Sequence, residues 1–119
     1  MIRSLTALHL HQKTRILDCV FDDGQSFHFP CEYLRVYSPS AEVRGHGLPE
    51  PHLVLNKAEV NIIAIEPVGA YAVKLVFDDG HQTGLYSFDF LYDLGIHQTR
   101  YWARYLERVQ AEAEEAKDR

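Results

Sequence analysis

The pentapeptide Val-Phe-Asp-Asp-Gly occurs twice in this chain, at residues 20–24 and again at 76–80. Its Asp-Gly pair is a strong signal for a β-hairpin when apolar residues alternate on both sides, because glycine readily adopts the positive φ that a tight turn requires. Two such turns, 56 positions apart, indicate that the chain consists of two similar halves. The repeat therefore favours a small, strand-rich domain with internal pseudo-symmetry.

β-rich runs surround both turns, and each half ends in a short helical segment. Alternating apolar and polar residues predict strands at 6–10, 15–22, 25–29, 60–65, 71–77 and 81–86. One helix is expected after Pro30 through Tyr37, and another over 87–94, capped by Ser87 and ended by Gly95. We therefore expect an α+β fold of two layers, in which an antiparallel sheet built from two pseudo-repeated ββα units carries the short helices on one face.

Two segments lie outside the repeat. Residues 38–51 form a long connection rich in glycine, proline and charge, and 99–117 has the alanine, glutamate and arginine content of a C-terminal helix. One apolar stripe along this helix steps by four and three residues: Trp102, Leu106, Val109, Ala113 and Ala116. The stripe docks either on its own domain or on a second copy, so we expect a monomer or a weak homodimer.

Length and charge exclude several classes of function. The 119 residues fit one domain and are too few for a doubly wound nucleotide-binding sheet or a barrel enzyme. A formal net charge of −5 argues against nucleic acid or an anionic membrane as partner, since both favour a dense basic face. Motifs of hydrolases, phosphate-binding loops and zinc proteases are absent, so no intrinsic catalysis is expected. Asp78 and Asp79 lie in a turn, where we expect solvated carboxylates.

The two cysteines, Cys19 and Cys31, are twelve positions apart and lack the Cys-x-x-Cys spacing of a redox or zinc pair. We expect two reduced thiols, at least one of them buried. The first residues contain no signal-peptide core, and no apolar run reaches the length of a membrane span. These features predict a cytoplasmic protein.

Three segments together carry a resemblance to a known family. Residues 33–47 read Tyr-Leu-Arg-Val-Tyr-Ser-Pro-Ser-Ala-Glu-Val-Arg-Gly-His-Gly, 77–81 read Phe-Asp-Asp-Gly-His, and 86–91 read Tyr-Ser-Phe-Asp-Phe-Leu. Over residues 5–95 the chain resembles the gamma-butyrobetaine hydroxylase-like N-terminal domain family.

Members of this family occur in several settings. Stand-alone bacterial copies are proteins of unknown function, whereas eukaryotic copies precede the catalytic domain of carnitine-pathway oxygenases or are attached to Mrp-type iron–sulfur carrier ATPases in plastids. The resemblance implies one such domain at 1–97, followed by a C-terminal helical extension at 98–119. It also implies a non-catalytic binding or accessory module in metal, iron–sulfur or redox metabolism, with a protein partner that the sequence does not identify.

In the oxygenases of this family, a Cys-x-Cys-x-x-Cys segment and a later histidine bind structural zinc. Carried over to this chain, the three cysteine positions hold Ser38, Ser40 and Val43, and the histidine falls on His81. A serine hydroxyl or a valine does not replace a zinc-bound thiolate. We therefore expect no metal at the family zinc position, and no cofactor.

Two candidate sites remain. The first is a binding surface formed by the long connection and the second hairpin: Arg35, Ser38, Ser40, Glu42, Arg44, His46 and His81. Its guanidinium groups suit a carboxylate or phosphate, on a small molecule or on an acidic segment of a partner. The alternative is a loop held by its own salt bridges. The second candidate is a zinc or iron site of imidazole and thiolate ligands, formed by His28, Cys31, His46 and His81.

Overall fold

The computed structural model describes residues 4–38, 53–80 and 84–117. Within these ranges the elements follow the order βββα–βββα–α. The first half contains β1 (Leu5–His11), β2 (Ile16–Phe21), β3 (Ser26–Pro30) and α1 (Cys31–Val36). The second half contains β4 (Ile62–Val68), β5 (Ala72–Phe77), β6 (Gly84–Ser87) and α2 (Phe88–Ile96), and α3 (Gln98–Lys117) follows.

The predicted α+β fold is confirmed, with two differences in detail. The strands form two antiparallel sheets of three strands, ordered β1-β2-β3 and β4-β5-β6, instead of one continuous sheet. Each half is a βββα unit, so the repeat is one strand longer than the predicted ββα unit. β3 continues directly into α1 and β6 into α2, and α2 of the second half packs on β3 of the first.

Both Asp-Asp-Gly turns form as predicted. Gly24 has a φ of 87° and Gly80 a φ of 90°, in the left-handed region where residues with a Cβ atom are strained. The backbone N–H of each glycine donates to the carbonyl of the phenylalanine three residues earlier, at 3.0 Å in the first turn and 3.3 Å in the second. The repeated pentapeptide therefore builds the same closed turn in each half.

The first strand of each half belongs to the repeat as well. β1 pairs with β2 through an irregularity between Leu5 and Ala7, and β4 pairs with β5 through one between Ile62 and Ala64. Each irregularity lies opposite the phenylalanine that opens the Asp-Asp-Gly turn. Such a β-bulge adds one residue to one strand and bends it. The two halves therefore share a bulge at the same place.

Two buried tyrosines join the halves reciprocally. The hydroxyl of Tyr33 in α1 donates to the carbonyl of Leu94 in α2 at 2.7 Å, and the hydroxyl of Tyr86 in β6 donates to the carbonyl of Leu34 in α1. Burial raises the pKa of both tyrosines well above the ordinary value. Both groups therefore remain protonated donors, and each half satisfies a helix carbonyl of the other.

Gly95 does not end the second helix, contrary to the prediction. α2 continues through Ile96, and His97 is its C-cap residue. A Cβ atom placed on Gly95 would lie 2.5 Å from ring atoms of Phe27, far inside van der Waals contact. The glycine is therefore needed where α2 packs on the aromatic ring of β3, and its position near the helix end does not reflect capping.

α3 forms as predicted and packs on its own domain. The hydroxyl of Tyr105 donates to the carbonyl of Val54 at 2.8 Å, and the hydroxyl of Tyr37 donates to the carbonyl of Tyr101 at 2.7 Å. The α3 side chains that pack against the core include Trp102 and Val109 of the predicted stripe together with Tyr101 and Tyr105, whereas Leu106 of the stripe is 50% exposed. A contact of α3 with a second copy stays a prediction. No helix in the described ranges is both long and apolar enough to cross a membrane.

Candidate functional site

The candidate site lies where the end of α1 approaches the turn between β5 and β6. Arg35 stands in the last turn of α1, with its side chain only 11% exposed, and its Nε donates to Oδ2 of Asp79 at 2.8 Å. The Nζ of Lys57 donates to the same oxygen at 2.6 Å. Asp79 is thus 18% exposed and paired with two cations, which corrects the expectation of a solvated turn carboxylate. We call Arg35, Ser38, Lys57, Asp79 and Tyr86 the Arg35 site.

The guanidinium of Arg35 retains an unused donor. Its Nη1 atom is buried and has no hydrogen-bond partner among the residues that the structure describes. A buried N–H group without an acceptor costs about 1–3 kcal/mol, and more when the group is charged. Two cations on one carboxylate also give Arg35, Lys57 and Asp79 together a formal charge of +1. The site therefore has both the donor and the charge to accept an oxygen of an anionic group.

Ser38 and Tyr86 lie near Arg35 and are hydrogen-bonded to each other. Ser38 is fully buried at the end of α1 and hydrogen-bonds to the Tyr86 hydroxyl. Because that hydroxyl already donates to Leu34, the serine is the donor of the pair. A Cβ atom on Gly84 would lie 2.8 Å from Cε1 of Tyr86 and 3.2 Å from Oγ of Ser38. A glycine at this position lets β6 pass close to the end of α1.

The structure brings together the two predicted binding-surface residues that it describes. Arg35 and Ser38 lie at the same end of α1, one on the Asp79 carboxylate and the other on the Tyr86 hydroxyl. Ser38 holds a structural hydrogen bond at the position that the family resemblance assigns to a cysteine. The remaining predicted surface and zinc-position residues lie outside the described ranges: Ser40, Glu42, Val43, Arg44, His46 and His81.

Of the alternative metal ligands, only His28 and Cys31 are described, and the fold does not bring them together. His28 is 66% exposed on the outer face of the first sheet, whereas Cys31 is fully buried. Both Cys19 and Cys31 are free and buried, as predicted. Burial raises the pKa of the Cys19 thiol to about 12 and also raises that of Cys31. Within the described ranges, no group of three or more histidine, cysteine or acidic residues is arranged to hold a metal ion.

A second polar cluster, which the sequence interpretation missed, lies on the outer face of the first sheet. Asp18 of β2 accepts a hydrogen bond from Nδ1 of His28 at 2.6 Å and one from Nε2 of His11 at 2.7 Å. The ring of His9 stacks on that of His11. The hydrogen bonds from His28 and then His11 lower the pKa of Asp18 below its ordinary 3.8. The alternation in β2 places Asp18 outward, but only the strand register reveals its partners.

Replacing Asp18 with asparagine is expected to lower stability at neutral pH, and the loss should disappear in acid. A carboxyl group whose pKa is lower in the folded state stabilises the fold above the unfolded-state value, and this contribution is lost as the pH falls through the folded-state value. Urea unfolding at pH 7 and below pH 3.8 measures the difference. Asp22→Asn, at an exposed position of the same hairpin, is the control. An Asp18→Asn penalty that persists unchanged in acid would contradict this assignment.

Sequence comparison decides the family. Residues 8–92 match the family described as gamma-butyrobetaine hydroxylase-like, N-terminal. The chain belongs to this family. The resemblance carried by residues 33–47, 77–81 and 86–91 is thereby confirmed. No curated protein matches the chain.

Solved structures share this family's fold with the chain. One solution NMR structure is 58% identical, with a TM-score of 0.81 over 92% of this chain and 82% of that one. A second is 41% identical, also with a TM-score of 0.81, over 95% and 89%. A protein of unknown function from Acidithiobacillus ferrooxidans, which belongs to the DUF971 family, is 29% identical with a TM-score of 0.66 over 77% and 92%. These comparisons thus establish the fold that the chain shares with its relatives, and they assign it no activity.

Proposed function

We propose that this domain is a binding module that recognises an acidic group of a partner protein at the Arg35 site. The observation that carries the proposal is the buried Nη1 of Arg35, which has no acceptor. A carboxylate that binds beside the exposed part of Lys57 would neutralise the formal charge of +1 left by the two cations on Asp79, and it would satisfy the Nη1 donor once the side chains that cover this atom shift. Lys57, still 22% exposed, offers the ligand a second contact.

A comparison within the chain supports this choice of site. Arg15 also has a buried nitrogen without a partner, its Nε. There, however, one arginine faces one carboxylate, the exposed Glu59, at 3.3 Å. The charges balance, and an anion has less reason to bind. The Arg35 site is the one of the two that combines a missing acceptor with an excess of positive charge.

The biological setting of the partner is inferred from association. Relatives of the family are attached to iron–sulfur carriers or to iron oxygenases, as the sequence resemblance implies. We therefore place the partner in metal or redox metabolism, with the domain as a non-catalytic accessory. Metal binding by the chain itself, through His28, Cys31, His46 and His81, remains an alternative prediction without a structural observation in its favour.

A titration with an acidic peptide tests the proposal. The probe is a short synthetic peptide of aspartate and glutamate, measured by calorimetry against wild type and variants. Arg35→Gln should abolish the heat of binding, and Arg35→Lys should weaken it, because lysine keeps the charge without the planar fork of donors. Arg104→Gln, at an exposed position of α3, makes the same change in net charge and should bind as wild type.

Two results would contradict the proposal. One is the absence of peptide binding by folded wild-type protein. The other is equal weakening by Arg35→Gln and Arg104→Gln, which would indicate general electrostatic attraction instead of a site. Thermal unfolding of each variant shows whether the fold is retained, and since Lys57 still pairs with Asp79, the Arg35 variants should remain folded.

A further inference from the structure

A groove along α3 shares only Lys57 with the described residues of the Arg35 site. It consists of two cavities of ≈540 Å³ and ≈520 Å³ that follow one another along α3 and share Leu106 as a lining residue. The first is bounded by Tyr33 and Trp102, and the second by Glu32 and Val109. We call the two together the α3 groove. From Gln98 to Ala113 it extends for about 22 Å, at 1.5 Å per helical residue.

The lining of the α3 groove is mainly apolar and partly exposed. Leu106 at its centre is 50% exposed, and Leu55 on the opposite wall is 39% exposed. Neither side chain contributes much burial to the isolated domain, and together they offer apolar area to a partner. A groove of this length and character fits an amphipathic helix, which buries one apolar face between such walls.

The charged residues of the groove that are free to pair with a ligand are acidic. Glu32 and Glu112 line the second cavity, and the only cation among its lining residues is Lys57. The Nζ of Lys57 is already bound to Asp79. Within the described part of the chain Glu32 makes no hydrogen bond or ion pair, and partial burial raises its pKa. A cation brought to this end of the groove would therefore meet a desolvated carboxylate that lacks a counter-charge.

We propose that the α3 groove binds a basic amphipathic helix of a partner protein. The helix places its apolar side chains on Leu106 and its neighbours and a lysine or arginine on Glu32. This goes beyond the proposed recognition at the Arg35 site, because its contacts are Leu106 and Glu32, which lie outside that site, and its ligand has the opposite charge. Lys57 borders both surfaces, so the variants that test them are made at Leu106 and Glu32 for one and at Arg35 for the other.

A second copy of this chain fits the groove less well. The residues that α3 itself presents along the groove include Thr99, Ala103, Leu106 and Ala113, none of which is a cation. Packing two such edges together would bury Leu106 and leave Glu32 without a counter-charge. Charge complementarity thus favours a basic segment over a homodimer.

Tryptophan fluorescence tests the proposal directly, because Trp102 is the only tryptophan in the chain and lines the groove. The probe is a synthetic leucine–lysine helix of about 15 residues, and a leucine–glutamate helix of the same pattern is its control. Leu106→Lys should weaken binding of the lysine peptide roughly tenfold or more, since it removes the central apolar contact. Leu85→Lys, at a similarly exposed position (48%) on the second sheet, adds the same charge and should bind as wild type.

Glu32→Gln measures the contribution of the charge, because it leaves the apolar lining of the groove unchanged. It should weaken the lysine peptide roughly threefold or more while leaving the glutamate peptide no weaker. Equal binding by Leu106→Lys and Leu85→Lys would overturn the proposal. So would a dimer in sedimentation analysis of wild type that Leu106→Lys dissociates while the lysine peptide fails to bind, because the second copy would then be the occupant.

Discussion

Gly95→Ala is expected to destabilise the domain by about 1 kcal/mol, although alanine is the better helix former. The substitution gains about 1 kcal/mol of helix propensity in α2. Against this, its Cβ atom would lie 2.5 Å from the Phe27 ring, and overpacking of this kind typically costs about 1–3 kcal/mol, occasionally more. Phe27 has little room to move, since it also packs edge-on against Phe21 and Tyr92. Urea unfolding of both proteins measures the difference.

A double-mutant cycle with Phe27→Leu tests whether contact with the Phe27 ring causes this loss. The smaller side chain lowers stability by itself but gives the alanine space, so the double variant should lose less than the sum of the two single losses. Strict additivity would contradict the packing explanation. A more stable Gly95→Ala protein would show that Gly95 serves no packing purpose in α2.

Tyr86→Phe is expected to lower the free energy of unfolding by about 2–4 kcal/mol. The lost hydroxyl is fully buried, where it donates to the carbonyl of Leu34 and accepts from Ser38. Its removal takes the donor from the buried carbonyl of Leu34 and one acceptor from Ser38, and the loss of a hydrogen bond by a buried polar group costs about 1–3 kcal/mol. Because this bond links β6 to α1, the measurement also reports how strongly the two halves depend on each other.

Tyr101→Phe is the matched control for this prediction. Its hydroxyl donates to Asp93 at 2.9 Å in a partly exposed position. Because water can hydrogen-bond to Asp93 in place of the lost hydroxyl, we expect the free energy of unfolding to fall by less than about 1 kcal/mol. Ser38→Ala and Tyr86→Phe each remove one side of the same hydrogen bond, so the double variant should cost less than the sum of the single variants. Equal losses for Tyr86→Phe and Tyr101→Phe would contradict the buried link.

Much of the fold followed from local chemistry, and the differences arose where tertiary packing decides. The Asp-Asp-Gly turns need the positive φ of glycine, so both hairpins could be located from the sequence. The sequence placed strands at β1 and β4 but did not show that they belong to the repeat. The feature that they share is a bulge, and it becomes visible only when each strand is paired with its neighbour. Gly95 was read as a helix end because glycine has that local preference, whereas the Phe27 ring that requires it lies 68 positions away.

The site was only partly predictable for the same reason. Arg35 was identified as a binding residue from its chemical type, but its carboxylate partner lies 44 positions further along the chain, in a turn that suggested solvent exposure. The packed face of α3 was predicted from apolar spacing, and Trp102 and Val109 of that stripe do pack against the core. The prediction omitted Tyr105, which is buried in the core and donates to the carbonyl of Val54. The cluster around Asp18 depends on strand register, which periodicity alone does not determine.

NMR of the arginine side chains tests the central claim most directly. The guanidinium resonances of Arg35 are followed in free protein and with the aspartate–glutamate peptide, with those of Arg104 as an internal reference. We expect the Nη signals of Arg35 to shift with saturation and those of Arg104 to remain in place, because an oxygen ligand reaches the buried Nη1 atom. Unchanged Arg35 resonances in the presence of saturating peptide would contradict recognition of an acidic group at this site.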